Sequence, residues 1–324
     1  PCALSISEFD LIRRHFAEAT PQRADVLLGI GDDCALLQPP PGQCLAVSMD
    51  TLVEGQHFFA GAAPADLGHK ALAVNLSDLA AVGAEPAWAT LSVTLPQADS
   101  DWLGGFMRGF AALAAVHRVQ LVGGDTTRGP LSITIQLHGF VEPDKALRRS
   151  AGQPGDHVCV SGTLGDAGLA LQRLQRDAGA QGLSEDLCGR LHRPVPRVEL
   201  GRLLRGQANA AIDVSDGLLA DLGHICESSG VGAVIELGRL PMSDLVAAEA
   251  ARGNWEHCLA GGDDYELLFT VNPARVAALL QTCRGAGHAV QEIGFLAADR
   301  DITLLYPDGQ VKQEVPRGFD HFKA

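Results

Sequence analysis

The clearest pattern along the chain is an alternation near its middle. From Leu131 to Val141, Leu131, Ile133, Ile135 and Leu137 fall on one face, and Ser132, Thr134, Gln136 and His138 on the other. A period of two predicts a half-buried strand. Upstream, Ser7 precedes Phe9, Ile12 and Phe16 at helical spacing, with acidic residues in the first turn. This predicts a capped N-terminal helix. Short apolar runs at Val26–Leu28, Cys44–Met49, Trp88–Leu95 and Val119–Val122 read as strands. Two Ala- and Leu-rich stretches between them, Ala65–Val82 and Asp101–Val116, read as helices. A second series follows, with strands predicted at His157–Ser161, Ala210–Val214, Ala233–Leu237, Glu266–Val271, Val290–Phe295 and Ile302–Tyr306. Its helices are predicted at Ala167–Ala178, Val198–Arg205, Leu218–Ser228, Asp244–Arg252 and Pro273–Arg284.

Between the two series, Glu142–Gly155 combines two prolines and two glycines with charged side chains, the composition of a domain boundary. The expectation is an α/β protein with mixed (α+β) sheets, divided into residues 1–145 and 146–324. At 324 residues, two domains suit the length, and each can bury its own core.

Charge narrows the partners. The chain has 25 Lys+Arg against 39 Asp+Glu, a formal net charge of −14. Nucleic acid and anionic membrane both call for clustered basic residues, so neither is the expected partner. Only four lysines are present, Lys70, Lys145, Lys312 and Lys323, so phosphate handling has to rest on metal ions, arginines and backbone amides. The eight cysteines show no C-x-x-C spacing and read as buried free thiols of a reducing cytosol. No apolar run reaches the roughly 18–20 residues of a membrane span, and a cytoplasmic protein is expected.

Acidic residues gather where apolar runs meet glycines: Gly29–Asp33, Val47–Asp50, Leu121–Thr127, Ala211–Gly217 and Leu259–Glu266. Asp78 differs, lying inside a predicted helix three residues after Asn75. One such turn is most often structural. Five in one chain predict carboxylates converging around hard cations, with Mg²⁺ the natural choice for oxygen donors. The usual nucleotide signatures are missing: there is no G-x-x-x-x-G-K-[ST], and Gly29-x-Gly31 leads into Asp32 and Asp33 rather than a dinucleotide fingerprint. Gly162–Gly168 is either an anion-binding turn at a helix start or a plain turn.

The segments GIGDDCA, SMDTLVEGQHF, KALAVNLSDLAAVGAEP, LVGGDTTRGPLSITI, AIDVSDGL and GGDDYELLF occur in this order. Together they closely resemble the thiamine-monophosphate kinase family, within the aminoimidazole ribonucleotide synthetase-like superfamily. The resemblance runs from Glu8 to Phe322. It implies an N-terminal α/β domain that dimerises through its sheet and carries metal and ATP contacts, and a C-terminal α/β domain that completes the metal, ATP and substrate site. It also implies transfer of the γ-phosphoryl group of ATP to thiamine monophosphate with several Mg²⁺ ions, in a homodimer. The implied metal ligands are Asp33, Ser48, Met49, Asp50, Asp78, Asp125, Asp213 and Asp216, with Asp33, Asp125 and Asp213 acting in catalysis through the metal. Gly124, Asp125, Arg149 and Ser215 are the implied ATP contacts, and His57, Asp263 and Phe319 the implied thiamine monophosphate contacts. Two departures stand out. The family usually has Glu where this chain has Asp263, and Met49 replaces a small polar residue, which matters little if only its carbonyl is used.

Read without the resemblance, several of these residues have plainer roles. Asp32 caps its turn and leaves Asp33 as the ligand; His57 is a packing histidine; Phe319 pins the C-terminus; Arg148 and Arg149 solubilise a linker. Asp221 and Asp264 read as structural and His224 as a core side chain. A Mg²⁺-dependent phosphohydrolase or a nucleotide-binding partner without turnover would share the same metal logic. Release of ADP only when thiamine monophosphate is present separates the kinase from both.

Overall fold

The computed structural model describes residues 8–176 and 185–318. The chain divides into two compact units, residues 1–79 with 84–144, and residues 80–83 with 145–324.

The first unit begins with α1 (Glu8–His15) and a small antiparallel pair, β1 (Val26–Leu28) and β2 (Leu36–Leu37). Then come β3 (Cys44–Val53), α2 (Pro64–Ala81), β4 (Glu85–Leu95), α3 (Ser100–His117), β5 (Gln120–Arg128) and β6 (Ser132–Val141). The last four strands form one sheet in the order β3-β6-β4-β5. Only β4 and β5 run parallel, joined by α3 as parallel neighbours require. Asp99 starts α3 by accepting from the Trp102 amide. The predicted alternation in β6 is present: Ile133, Ile135 and Leu137 are buried, opposite Leu52, Asp50 and Ser48 of β3. Thr134, Gln136 and His138 lie on the other face, opposite Thr51, Met49 and Val47. That second face leaves Leu45, Val47 and Met49 exposed at 45, 51 and 64%.

Helices α2 and α3 meet at backbone distance. A Cβ on Gly109 would fall 1.8 Å from the Ala65 carbonyl oxygen, and one on Gly68 would fall 1.9 Å from that of Phe106.

The second unit contains β7 (His157–Ser161), α4 (Asp166–Arg176), α5 (Glu185–His192), α6 (Val198–Leu204), β8 (Ala211–Val214), α7 (Leu218–Ser229), β9 (Gly232–Glu236), α8 (Asp244–Ala251) and α9 (Glu256–Ala260). It continues with β10 (Glu266–Val271), α10 (Pro273–Gly285), β11 (Val290–Ala297), β12 (Ile302–Leu305) and β13 (Val311–Glu314). The sheet order is β13-β12-β9-β11-β7-β10-β8, with only β12 and β9 parallel. Its core joins Val158, Val160, Ile212, Val214, Leu219, Leu222, Ile235 and Leu268.

The structure differs from the pattern reading in informative places. The strand expected to stop at Val122 runs on through the glycines to Arg128, pairing Gly123–Arg128 with Thr90–Leu95. Likewise β3 continues to Val53. Asp50 and Asp125 therefore sit within strands rather than in turns, because ladder pairing overrides the turn preference of Gly and Asp. Cys159, Cys226, Cys258 and Cys283 are buried as expected, whereas Cys34 and Cys44 are exposed. Residues 177 and 178, expected to end a helix, lie outside the described residues.

The α2–α3 contact yields a paired test. Gly109→Ala must push two backbones apart, and the overpacking should cost about 1–3 kcal/mol despite alanine's better helix propensity. Gly189 in α5 has nothing within 4 Å of its would-be Cβ. Gly189→Ala should instead stabilise by about 0.5–1 kcal/mol. Urea denaturation midpoints of the two variants, moving in opposite directions, check this.

Candidate active site

In the first unit, the adjacent pair Asp32–Asp33 is divided in role. The Asp32 Oδ1 accepts the Asp33 amide at 2.8 Å, so Asp32 caps the turn and Asp33 is presented at the surface. The Ser48 hydroxyl of β3 donates to the Asp78 carboxylate of α2, bringing two predicted ligands together. Asp50 is on the same sheet face as Ser48, two residues along. Met49 lies between them on the opposite face, so its thioether is directed away and only its carbonyl could serve with them. Gly124 is flush against β4: a Cβ there would fall 1.8 Å from the Leu91 carbonyl oxygen. Asp125 follows it, exposed, with Oδ1 accepting from the Thr126 amide. His57 is half-buried in the turn after β3 and its Nδ1 accepts from the Val53 amide at 3.0 Å. A neutral ring so held carries its proton on Nε2.

The second unit brings two acidic motifs some fifty residues apart in sequence into one interlocked structure. Asp213, buried in β8, leads into the Ser215–Gly217 turn that opens α7. The Asp263 amide donates to the Ser215 carbonyl at 2.9 Å, and the Tyr265 amide to the Val214 carbonyl at 2.8 Å. Gly262 fits because a Cβ there would meet the Ser215 carbonyl oxygen at 2.5 Å. From the other side, Asp221 Oδ2 accepts the amides of Ser215 at 3.0 Å and Asp216 at 3.1 Å. Burial, reinforced by the charges of Asp213 and Asp216, pushes the Asp221 carboxyl up to about 8. Asp221, read from sequence as structural, is thus what shapes the turn carrying Ser215 and Asp216.

Asp264 faces away from its neighbour Asp263. Both of its oxygens accept the Gly165 amide, and burial holds its carboxyl well above the usual range. This settles the Gly162–Gly168 segment as a plain turn at these positions. Its Gly162, Leu164 and Gly165 amides go to the Ala289 carbonyl, the Pro241 carbonyl and Asp264, leaving none of the three for an anion. Two residues on, Glu266 is fully buried between Arg190 and Arg197 and also accepts from Ser161. Sequence reading placed Glu266 in the GGDDYELLF segment but missed the cluster around it, whose members are far apart in the chain.

The Arg149 side chain is exposed, and its carbonyl accepts from the Ser229 hydroxyl at 2.8 Å. His224 is exposed on α7 rather than in the core, since its position faces away from the sheet. Phe319 lies outside the described residues. The residue before it, Gly318, sits where a Cβ would fall 2.3 Å from the Asp216 carbonyl oxygen.

The donor set fits Mg²⁺ in kind: carboxylates, a hydroxyl and carbonyls, all hard oxygens. Asn75, one helical turn before Asp78, has a fully buried side-chain oxygen with no hydrogen-bond partner among the described residues, a further hard donor. No group of three or more His, Cys, Asp or Glu among the described residues is gathered closely enough to cage a metal. Mg²⁺ needs no such cage, because it keeps several waters and takes one or two carboxylates plus substrate phosphates.

Residues 31–141 match the family model "AIR synthase related protein, N-terminal domain", and residues 153–306 match its C-terminal counterpart. The chain is 46% identical over 324 residues to a thiamine-monophosphate kinase of Salmonella typhimurium, covering 98% of this chain and 99% of that protein. It superposes on the crystal structure of a thiamine-monophosphate kinase from Stenotrophomonas maltophilia with a TM-score of 0.83 and 47% identity, covering 89% of this chain and 93% of that one. A second structure, AaThiL complexed with AMPPCP and TMP, is 32% identical with a TM-score of 0.76, covering 88% of this chain and 89% of that one. With ordered acidic motifs, both domain models and full-length relatives in agreement, the chain belongs to the thiamine-monophosphate kinase family within the AIR synthase related proteins.

Proposed function

We propose that this protein transfers the γ-phosphoryl group of ATP directly to thiamine monophosphate, with several Mg²⁺ ions, giving thiamine diphosphate and ADP. The observation that carries the reading is the interlock in the second unit, which holds the acidic turn Asp213–Asp216 against the loop bearing Asp263. In this reading, residues 1–145 supply metal and ATP contacts and the self-association surface. Residues 146–324 supply the remaining metal, ATP and substrate contacts.

The chemistry asks little of a general base. A phosphate monoester has a second pKa near 6, so the acceptor is already a dianion at neutral pH. One of its oxygens attacks the γ-phosphorus, the bond to the β–γ bridging oxygen breaks, and ADP leaves. Catalysis is then positioning and charge compensation. The backbone at Gly124 contacts the ATP, with Arg149 and Ser215 as further contacts. His57 offers its Nε2 proton, and Asp263 a carboxylate, to thiamine monophosphate, and Phe319 an aromatic face to its flat, cationic rings. Asp33, Ser48, Asp50, Asp78, Asp125, Asp213, Asp216 and the Met49 carbonyl would hold the Mg²⁺. When bound, Mg²⁺ neutralises phosphate charge and aligns the two substrates.

The reading extends to a cytoplasmic homodimer. The described cysteines are all free, and no described helix is long and apolar enough to cross a membrane. Leu45, Val47 and Met49 form an exposed apolar row on the edge strand β3, a feature that proteins normally cover.

Three measurements test this. A coupled ADP assay should show turnover only with thiamine monophosphate present; equal ADP release without it would establish a hydrolase instead. Asp33→Asn, Asp125→Asn and Asp213→Asn should each lower turnover by roughly 100-fold or more at saturating Mg²⁺, since lost charge compensation acts on the transition state. Near-normal rates in two of the three reject the ligand assignment. In sedimentation velocity the wild type should run as a dimer and Val47→Asp as a monomer; identical profiles place the dimer contact elsewhere.

A further inference from the structure

Among the described residues, three non-glycine positions have left-handed backbone: Arg118, which caps α3, and the pair Asp263 (φ 66°) and Tyr265 (φ 50°). A bulky aromatic residue in this region is a true outlier. Such strain persists where the surroundings over-determine it, and it concentrates at functional sites. The surroundings here are the amides of Asp263 and Tyr265 fixed on Ser215 and Val214, with Gly262 pressed on the same turn.

The two left-handed residues stand two positions apart, on either side of Asp264. One result is a contact between them: the Tyr265 hydroxyl donates to Asp263 Oδ1 at 2.9 Å. Tyr265 is itself buried, 8% exposed, so its ring is set by packing and its hydroxyl is a fixed donor. A short carboxylate bonded through one oxygen to a fixed donor has its rotamer chosen for it. Its other oxygen is then held in one direction.

The geometry points to Tyr265 as a positioning residue that orients the Asp263 carboxylate toward an amino or cationic group on the heterocyclic part of the substrate. This rests on the reading of Asp263 as a thiamine monophosphate contact. It accounts for the retention of an aromatic residue in strained backbone.

The test compares wild type, Tyr265→Phe, Asp263→Ala and the double variant in steady-state kinetics and thermal unfolding. Phe keeps the ring and the packing. Tyr265→Phe should raise the KM for thiamine monophosphate about 10-fold, the scale of one hydrogen bond to a charged group. Its kcat, its KM for ATP and its Tm should change little. The double variant should be no worse than Asp263→Ala, because the hydroxyl acts only through that carboxylate. Four results overturn the proposal. An unchanged KM in Tyr265→Phe with a raised one in Asp263→Ala removes the positioning role and leaves the reading of Asp263 standing. Unchanged constants in both variants remove that reading too. Equal losses for both substrates with a lowered Tm show a purely structural tyrosine. Independent, multiplying losses in the double variant show that the two side chains act separately.

Discussion

Two backbone hydrogen bonds, from the amides of Asp263 and Tyr265 to the carbonyls of Ser215 and Val214, hold together the acidic loops of the second unit. Neutral groups do this work, and the charges make that necessary. Asp221 stands beside Asp213 and Asp216, and its carboxyl is raised first by burial and then by their charges. Loops joined by side-chain ion pairs would consume the carboxylates that the chemistry needs. The chain consumes selected ones instead. In each adjacent acidic pair, Asp32–Asp33 and Asp263–Asp264, one member binds a backbone amide, Asp32 that of Asp33 and Asp264 that of Gly165. The other member is presented in a loop that its neighbour has fixed. Asp221 does the same for the Ser215–Asp216 turn.

The strand that follows the interlock is anchored by a different principle. Glu266 is fully buried, and a lone carboxylate there would be prohibitively costly. Arg190 at 3.0 Å and Arg197 at 2.5 Å compensate it, and Ser161 both donates to Glu266 and accepts the Leu267 amide. Such a cluster adds little net stability compared with apolar packing, but removing one partner costs about 3–5 kcal/mol. Its effect is therefore to make one arrangement of β7, β10 and the segment before α6 much better than its alternatives. Tyr265, immediately before Glu266, is the residue that gains from this fixed origin.

The regular elements were legible because their signals are local. The alternation in Leu131–Val141 and the helical stretches at 65–82 and 101–116 name their own structure, and the folded chain agrees. Elements that exist only through partners were not legible. The strand Val311–Glu314 is polar and mostly exposed, and is a strand because β12 pairs with it. The Gly123–Arg128 extension exists because Thr90–Leu95 offers a ladder. The acidic motifs announced themselves by composition. Asp221 and Asp264 were legible as structural acids, but the partners of Asp264 and of the Glu266 cluster were not, because a buried acid is recognised by what it touches, and those partners lie up to about a hundred residues away. His224 shows the converse, since its helix is amphipathic and the position turned out to face outward.

The proposed substrate is itself polarised, with an aminopyrimidine at one end, a phosphate at the other and a cationic thiazolium between them. A net-acidic protein repels phosphate at long range, since 39 Asp+Glu outnumber 25 Lys+Arg. Attraction for the phosphate end must come with the divalent cation, whereas attraction for the ring end can be built into the protein. In the proposed reading Asp263 supplies it, with its amide bonded to the Ser215 carbonyl while its neighbour Asp264 is bonded to the Gly165 amide. In that reading a reversed substrate would set phosphate against Asp263 and take it away from the divalent cation, losing both interactions at once. The proposed contact at Asp263 would thus specify orientation by repulsion as well as attraction, the more so the more rigidly Asp263 is held.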